Sequence, residues 1–240
     1  MGIEEPWAPL PEDESRRQWS TNPFVILWES IKLFYEELYP LLLGGTVAFI
    51  ASVLVLPGPF AWAGLWVLAQ HARDGRETSW RVMWEGAKRY GWRHWLNVLV
   101  GLLGFALLLV NLWFYNNPEI SPLKPEISRW LSLAWLVLLY LWAGVFFFLL
   151  PFQLEMEHPA FGESLKKALF LVLLFPFHWM VWLVVLGGLF VLSLRMPPLF
   201  VIALPFDALL GMIAVRALID EVRRRQEAAQ AAEEEEAQPR

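Results

Sequence analysis

At 240 residues, 57% of them apolar, and with a mean hydropathy of +0.44, the chain exceeds the roughly 45–50% apolar share of ordinary soluble domains. The net charge of −5 comes largely from its two ends, so it gives no ground for a nucleic-acid partner. With no cysteine, disulfides, thiolate metal sites and cysteine nucleophiles are excluded.

Residues 1–22 are charged, Pro-rich and aperiodic, which predicts a disordered cytoplasmic tail. They lack the basic and apolar regions of a signal peptide, so the first spanning helix is expected to act as its own insertion signal. Pro6 stands where a myristoylation motif wants Ser or Thr. Residues 23–220 then carry long apolar runs at 38–56, 95–115, 130–152, 174–194 and 198–215. These approach the roughly 20 residues needed to cross a bilayer core of about 30 Å. The chain closes with residues 221–240, Arg-rich and then Glu-rich, a charged cytoplasmic tail.

Between the first two runs lies the shorter apolar stretch 59–70. It either spans with some thinning of the bilayer or re-enters and leaves on the side it entered. A repeat favours the span. Trp28-Glu29-Ser30-Ile31-Lys32, Trp84-Glu85-Gly86-Ala87-Lys88 and Gly162-Glu163-Ser164-Leu165-Lys166 each open an amphipathic stretch before an apolar run. The Glu–Lys pairs Glu29 and Lys32, Glu85 and Lys88, and Glu163 and Lys166 share a helix face, which suits a helix lying on the membrane surface. The expected architecture is therefore an all-α integral membrane protein: a six-helix transmembrane bundle of three hairpins, each preceded by an interfacial helix.

Cationic residues set the orientation. Sixteen of the nineteen Lys and Arg fall in two loops and the two ends, and only Lys124, Arg129 and Arg195 lie on the other side. Because cytoplasmic loops retain such residues, both termini are expected in the cytoplasm and the protein in the cell (inner) membrane. Many of the fifteen Trp flank the runs, at headgroup level. The outer turns 57–59, 116–128 and 195–198 are short and rich in helix breakers.

Asp207 lies within the last apolar run, with no Lys or Arg at similar depth. Such an acid suggests a pathway, relay or counter-ion. The structural alternative, favoured here, is that Pro205 breaks the helix and Asp207 caps or sits hydrogen-bonded in the restarted segment. Asn111 is the second intramembrane polar candidate. Together with Thr46, Ser52, Asn97, Ser132 and Ser193, it reads more simply as an interhelical hydrogen-bonding group. Gly44-Gly45, Gly101 with Gly104, and Gly187-Gly188 predict close helix contacts. His71, His94 and His158 fall at cytoplasmic helix ends without ligand spacing, and His178 reads as an interface anchor, so neither a metal nor another cofactor is expected. Enzyme motifs are missing from the sequence, and the acidic pair Glu36-Glu37 has no partnering His cluster, so no catalytic residue is assigned.

Over residues 24–220 the chain resembles the YesL-like family of bacterial multi-pass membrane proteins. The resemblance rests on Leu56-Pro57-Gly58-Pro59 before a short Ala-rich helix, Arg73-Asp74-Gly75, the aromatic-basic stretch 80–84, and Glu163-Ser164-Leu165-Lys166-Lys167-Ala168-Leu169. The polar spacing before the Gly-Pro departs from the family pattern. The family has no assigned reaction, and its members often occur beside carbohydrate uptake systems. The expectation is a non-enzymatic accessory or assembly partner of a carbohydrate transport complex in the lipid bilayer. The alternative is a small transporter or channel-like protein with Asp207 lining a polar path.

Overall fold

The computed structural model describes residues 19–117, 119–121, 123–156 and 160–237, with side chains as far as residue 231. The expected tail over residues 1–22 therefore falls mostly outside it, as do His158 and Arg240. Among the described residues every regular element is helical. In chain order these are α1 (Pro23–Glu36), α2 (Leu38–Val53), α3 (Gly58–Arg73), α4 (Trp80–Asn116), α5 (Pro125–Glu155), α6 (Phe161–Leu174), α7 (Pro176–Arg195) and α8 (Phe200–Ala237), with a 3-10 turn at Pro197–Leu199.

Helix α1 begins where the sequence says it can: Asn22 Oδ1 accepts the Phe24 N–H (3.0 Å), and Pro23 needs no donor there. It buries Ile26, Ser30, Leu33 and Phe34 and exposes Trp28 and Tyr35, an amphipathic division. The chain then bends by 94° at Glu37 into α2, so α1 and α2 are separate directions. Helix α6 has the same length as α1, 14 residues, and likewise stops at Phe175 just before Pro176 opens α7. The two share a further device. Ser30 donates to the Ile26 carbonyl (2.8 Å) and Ser164 to the Ala160 carbonyl (3.1 Å), both at full burial between an outward Glu and Lys.

The middle repeat differs. Helix α4 runs unbroken for 37 residues, so Glu85 and Lys88 belong to the helix that carries the apolar run instead of to a separate interfacial one. The reason is local: no proline stands between Trp80 and Asn116. The small residue of this repeat, Gly86, is still buried, against the Val67 side chain.

By length and composition α4, α5, α7 and the Pro197–Ala231 segment could each cross a membrane. The α1–α2 pair qualifies only as one bent path, giving four such helices or five. Helices α2 and α3 have 16 residues each, about 24 Å at the standard rise. Multi-pass membrane embedding suits this set of helices.

Helix α8 is the packing centre. It touches α1, α2, α3, α5 and α7, and Ala208, Leu209, Leu210, Met212, Ile213, Ala214 and Val215 are fully enclosed. Its start lies beside the end of α2, with Phe49 stacked on Phe200 (5.8 Å). Further along, Trp66 of α3 and Phe147 of α5 meet at Gly211. Later in each of these helices Arg73, Glu155 and Arg216 meet in turn, so from one meeting point to the next α3, α5 and α8 run in one direction.

Glycine contacts divide unevenly. A β-carbon added at Gly45 would collide with the Val201 carbonyl, at Gly101 with Phe146 and at Gly104 with Trp142, so these glycines do allow close approach. Gly187 and Gly188, expected to do the same, have open space on that side.

Candidate functional site

Two polar assemblies occupy the region where α3, α5 and α8 converge. The first is an ion cluster. Arg73 at the end of α3 donates to Glu155 at the end of α5, to the Met212 carbonyl of α8 (3.1 Å), and to Asp74 (2.8 Å). The other Glu155 oxygen accepts from Arg216 (3.4 Å), which also reaches Asp220 (3.4 Å). Arg73 and Glu155 keep only 4% and 5% of their side-chain exposure, so water does little to screen them. Burial disfavours the charged Arg73 guanidinium, but the Glu155 and Asp74 carboxylates outweigh it and raise its pKa above the ordinary value. Gln70 adds a bond to the Leu154 carbonyl (3.2 Å). One carboxylate therefore ties the ends of α3 and α5 to the middle of α8.

The second assembly is a cavity of about 520 Å³, within the range of small-molecule sites. Helices α2, α3, α4, α5, α7 and α8 all contribute to its wall, which is largely aromatic and aliphatic. Its non-aromatic polar side chains are Ser52, Asn97 and Asp207, joined by the imidazole of His94. Ser52 is engaged, accepting from Trp62 Nε1 (2.8 Å) and donating to the Ala48 carbonyl (2.6 Å). Asn97 is engaged too, in a reciprocal amide pair with Gln153 (2.8 and 3.1 Å). Asp207 and His94 have no hydrogen bond or ion pair among the described residues, although His94 is only 4% exposed. His94 instead lies over Trp62, with ring centroids 6.3 Å apart.

Removing one half of the amide pair tests how dry this wall is. Asn97→Leu leaves the Gln153 amide buried and unpaired, an expected loss of about 1–3 kcal/mol. A combined Asn97→Leu, Gln153→Leu protein should recover much of that in the same denaturation assay.

Several sequence expectations change here. Helix α8 continues through Pro205, so Asp207 caps no restarted segment. Asn111 is not brought to Asp207; its amide donates to the Leu107 carbonyl of its own helix (2.8 Å). His94, read from Arg93 and Trp95 as an interfacial residue, is enclosed because α3 packs along this part of α4: Phe60 meets Gly91, and Trp95 Nε1 donates to the Leu56 carbonyl (2.9 Å). His71 bonds the Glu77 carbonyl (3.1 Å), and His178 bonds the Thr21 carbonyl (2.6 Å) at the start of α1.

The repeat pairs behave individually. Glu29 and Lys32 form an exposed ion pair at 2.8 Å. Glu85 pairs with Arg81 (3.1 Å), while Lys88 lies 5.0 Å from the centre of the Trp84 ring. Glu163 and Lys166 are exposed and do not bond each other. No group of three metal-ligating side chains occurs among the described residues.

No known protein family, curated protein or solved structure matches the chain. An unpartnered carboxyl and an unpartnered imidazole on one apolar wall can hold the polar end of a ligand while the aromatic rings take the rest.

Proposed function

We propose that the protein is a non-enzymatic, small transporter-like membrane protein whose cavity between the helices receives a ligand at Asp207. The observation that carries this reading is the pairing of free polar groups with space. Among the described residues Asp207 has no bond, yet it borders a cavity large enough for a small organic molecule. An acid buried for structure alone normally acquires hydrogen-bond partners.

In this reading the bundle has six spans in three hairpins, α2–α3, α4–α5 and α7–α8, with both termini on the cytoplasmic side of the cell membrane. The shared direction of α3, α5 and α8, the return legs, supports it. Membership of the YesL-like family belongs to the same proposal and is supported by the short helix that follows Leu56-Pro57-Gly58-Pro59.

An accessory role in a carbohydrate transport complex is the second reading. It draws on the exposed face of α4 where Trp80 and Trp84 stack (6.3 Å) beside Arg81 and Lys88, a surface suited to anionic headgroups or a partner.

The native absence of cysteine makes the test clean. Asp207→Cys in intact membranes is expected to react with a small, uncharged thiol reagent that can enter from water or from lipid. Leu209→Cys, fully enclosed, should stay unlabelled. Protection of position 207 in a correctly inserted protein would defeat the ligand-cavity reading and leave the accessory role.

A further inference from the structure

We infer that the ligand class of the cavity is a lipophilic organic monocation, with Asp207 as its counter-charge. This rests on the ligand-cavity reading above and adds charge and chemistry to it.

Three properties of the wall select the class. The first is sign. No Lys or Arg among the described residues lines the cavity, so a carboxylate there has no internal cation. An anion would be repelled and a neutral ligand would be met by the protonated acid, whereas a cation pairs with the carboxylate in surroundings of low polarity.

The second is ligand number. A divalent ion such as calcium or magnesium takes roughly six or more oxygen ligands, and its binding would call for a set of them. Here the Asn97 amide is held by Gln153 and the Ser52 hydroxyl by Trp62 and Ala48, which leaves Asp207 nearly alone. An organic cation spreads its charge and needs one counter-ion plus π-faces.

The third is those faces. Trp62, Trp66, Trp179 and Phe147 stand on the same wall. The Trp179 ring is fixed by its N–H bond to the Tyr140 carbonyl (3.0 Å) and by contact with Phe147, 5.3 Å between centroids. Ring quadrupoles attract cations, and most strongly so where water is scarce. Entry is also accounted for. Val53 and Phe190 belong to the cavity wall yet are 69% and 54% exposed, so the cavity meets the apolar surface of the bundle. A ligand that first dissolves in the bilayer reaches it there.

The experiment uses full-length protein in nanodiscs, with empty nanodiscs as the blank. Tetraphenylphosphonium, its near-isosteric anion tetraphenylborate and the neutral triphenylphosphine oxide serve as probes. Tetraphenylphosphonium should bind above the blank, Asp207→Asn should weaken it at least roughly tenfold, and Asp207→Glu should largely retain it. Tetraphenylborate should show no excess over the blank. Elution profile and melting temperature establish that Asp207→Asn is folded.

Equal affinity of the phosphonium for wild type and Asp207→Asn would overturn the inference. So would binding of the borate as tightly as the phosphonium. Binding of the phosphine oxide that ignores position 207 would overturn the cation class while leaving a ligand cavity in place. If no probe binds, the cation class falls, and thiol labelling at position 207 independently decides whether the cavity reading falls with it.

Discussion

Glu155→Ala is expected to lower stability by about 3–5 kcal/mol, the penalty for leaving a buried partner charge uncompensated. The loss is large because two cations depend on this carboxylate. Arg73 retains Asp74, and Arg216 retains Asp220, but both of those acids are far more exposed than Glu155. A detergent-solubilised sample titrated with a denaturing surfactant would report the change. Arg73→Met in the same background supplies the contrast: with both charges gone, part of the lost stability should return. If Glu155→Ala unfolds at the same point as wild type, water must reach the cluster freely, and its role in joining three helices is refuted.

Gly45→Ala is expected to be the second most damaging change, at about 1–3 kcal/mol for one methyl group. The cause begins in α8. Pro205 has no N–H, so the Val201 carbonyl lacks its usual helical donor. Gly45 brings α2 against that carbonyl, and an added β-carbon would strike the oxygen itself and the Pro205 ring. Backbone cannot swing aside as a side-chain tip can, so the two helices must separate. Gly188→Ala is the control: open space surrounds its β-position, and the gain in helix propensity, about 1 kcal/mol, should leave it neutral or slightly stabilised. Equal tolerance of both alanines in thermal unfolding would count against close packing of α2 on α8.

What the sequence made legible was whatever local composition determines. Apolar run length located α4, α5, α7 and α8, and breakers located the turns that precede α3, α5 and α8. Asp207 was conspicuous because an acid within an apolar run is rare. The ion cluster was not legible: Arg73 and Glu155 are 82 positions apart, Arg216 and Glu155 61, and each looks locally like an ordinary charge at a helix end. His94 was misread for a related reason. Its neighbours Arg93 and Trp95 carry the signature of a membrane surface, but enclosure comes from α3, whose packing partner no local pattern announces. The three-part Glu–Lys repeat predicted three alike units, yet only α1 and α6 end in a break before the apolar helix, because the prolines that follow them, Pro40 and Pro176, have no counterpart within α4.

Of the helices described, the one at the centre of the bundle leaves the ribosome after all the others. Until α8 arrives, α2, α3 and α5 lack the surface they share, Glu155 lacks Arg216, and the cavity has no Asp207 wall. The earlier helices, α3 on α4 and α4 on α5, therefore pair before the centre of the bundle is in place. Maturation should then be a late, cooperative event, and nascent chains stopped before residue 200 should be the preferred substrates of membrane quality-control proteases.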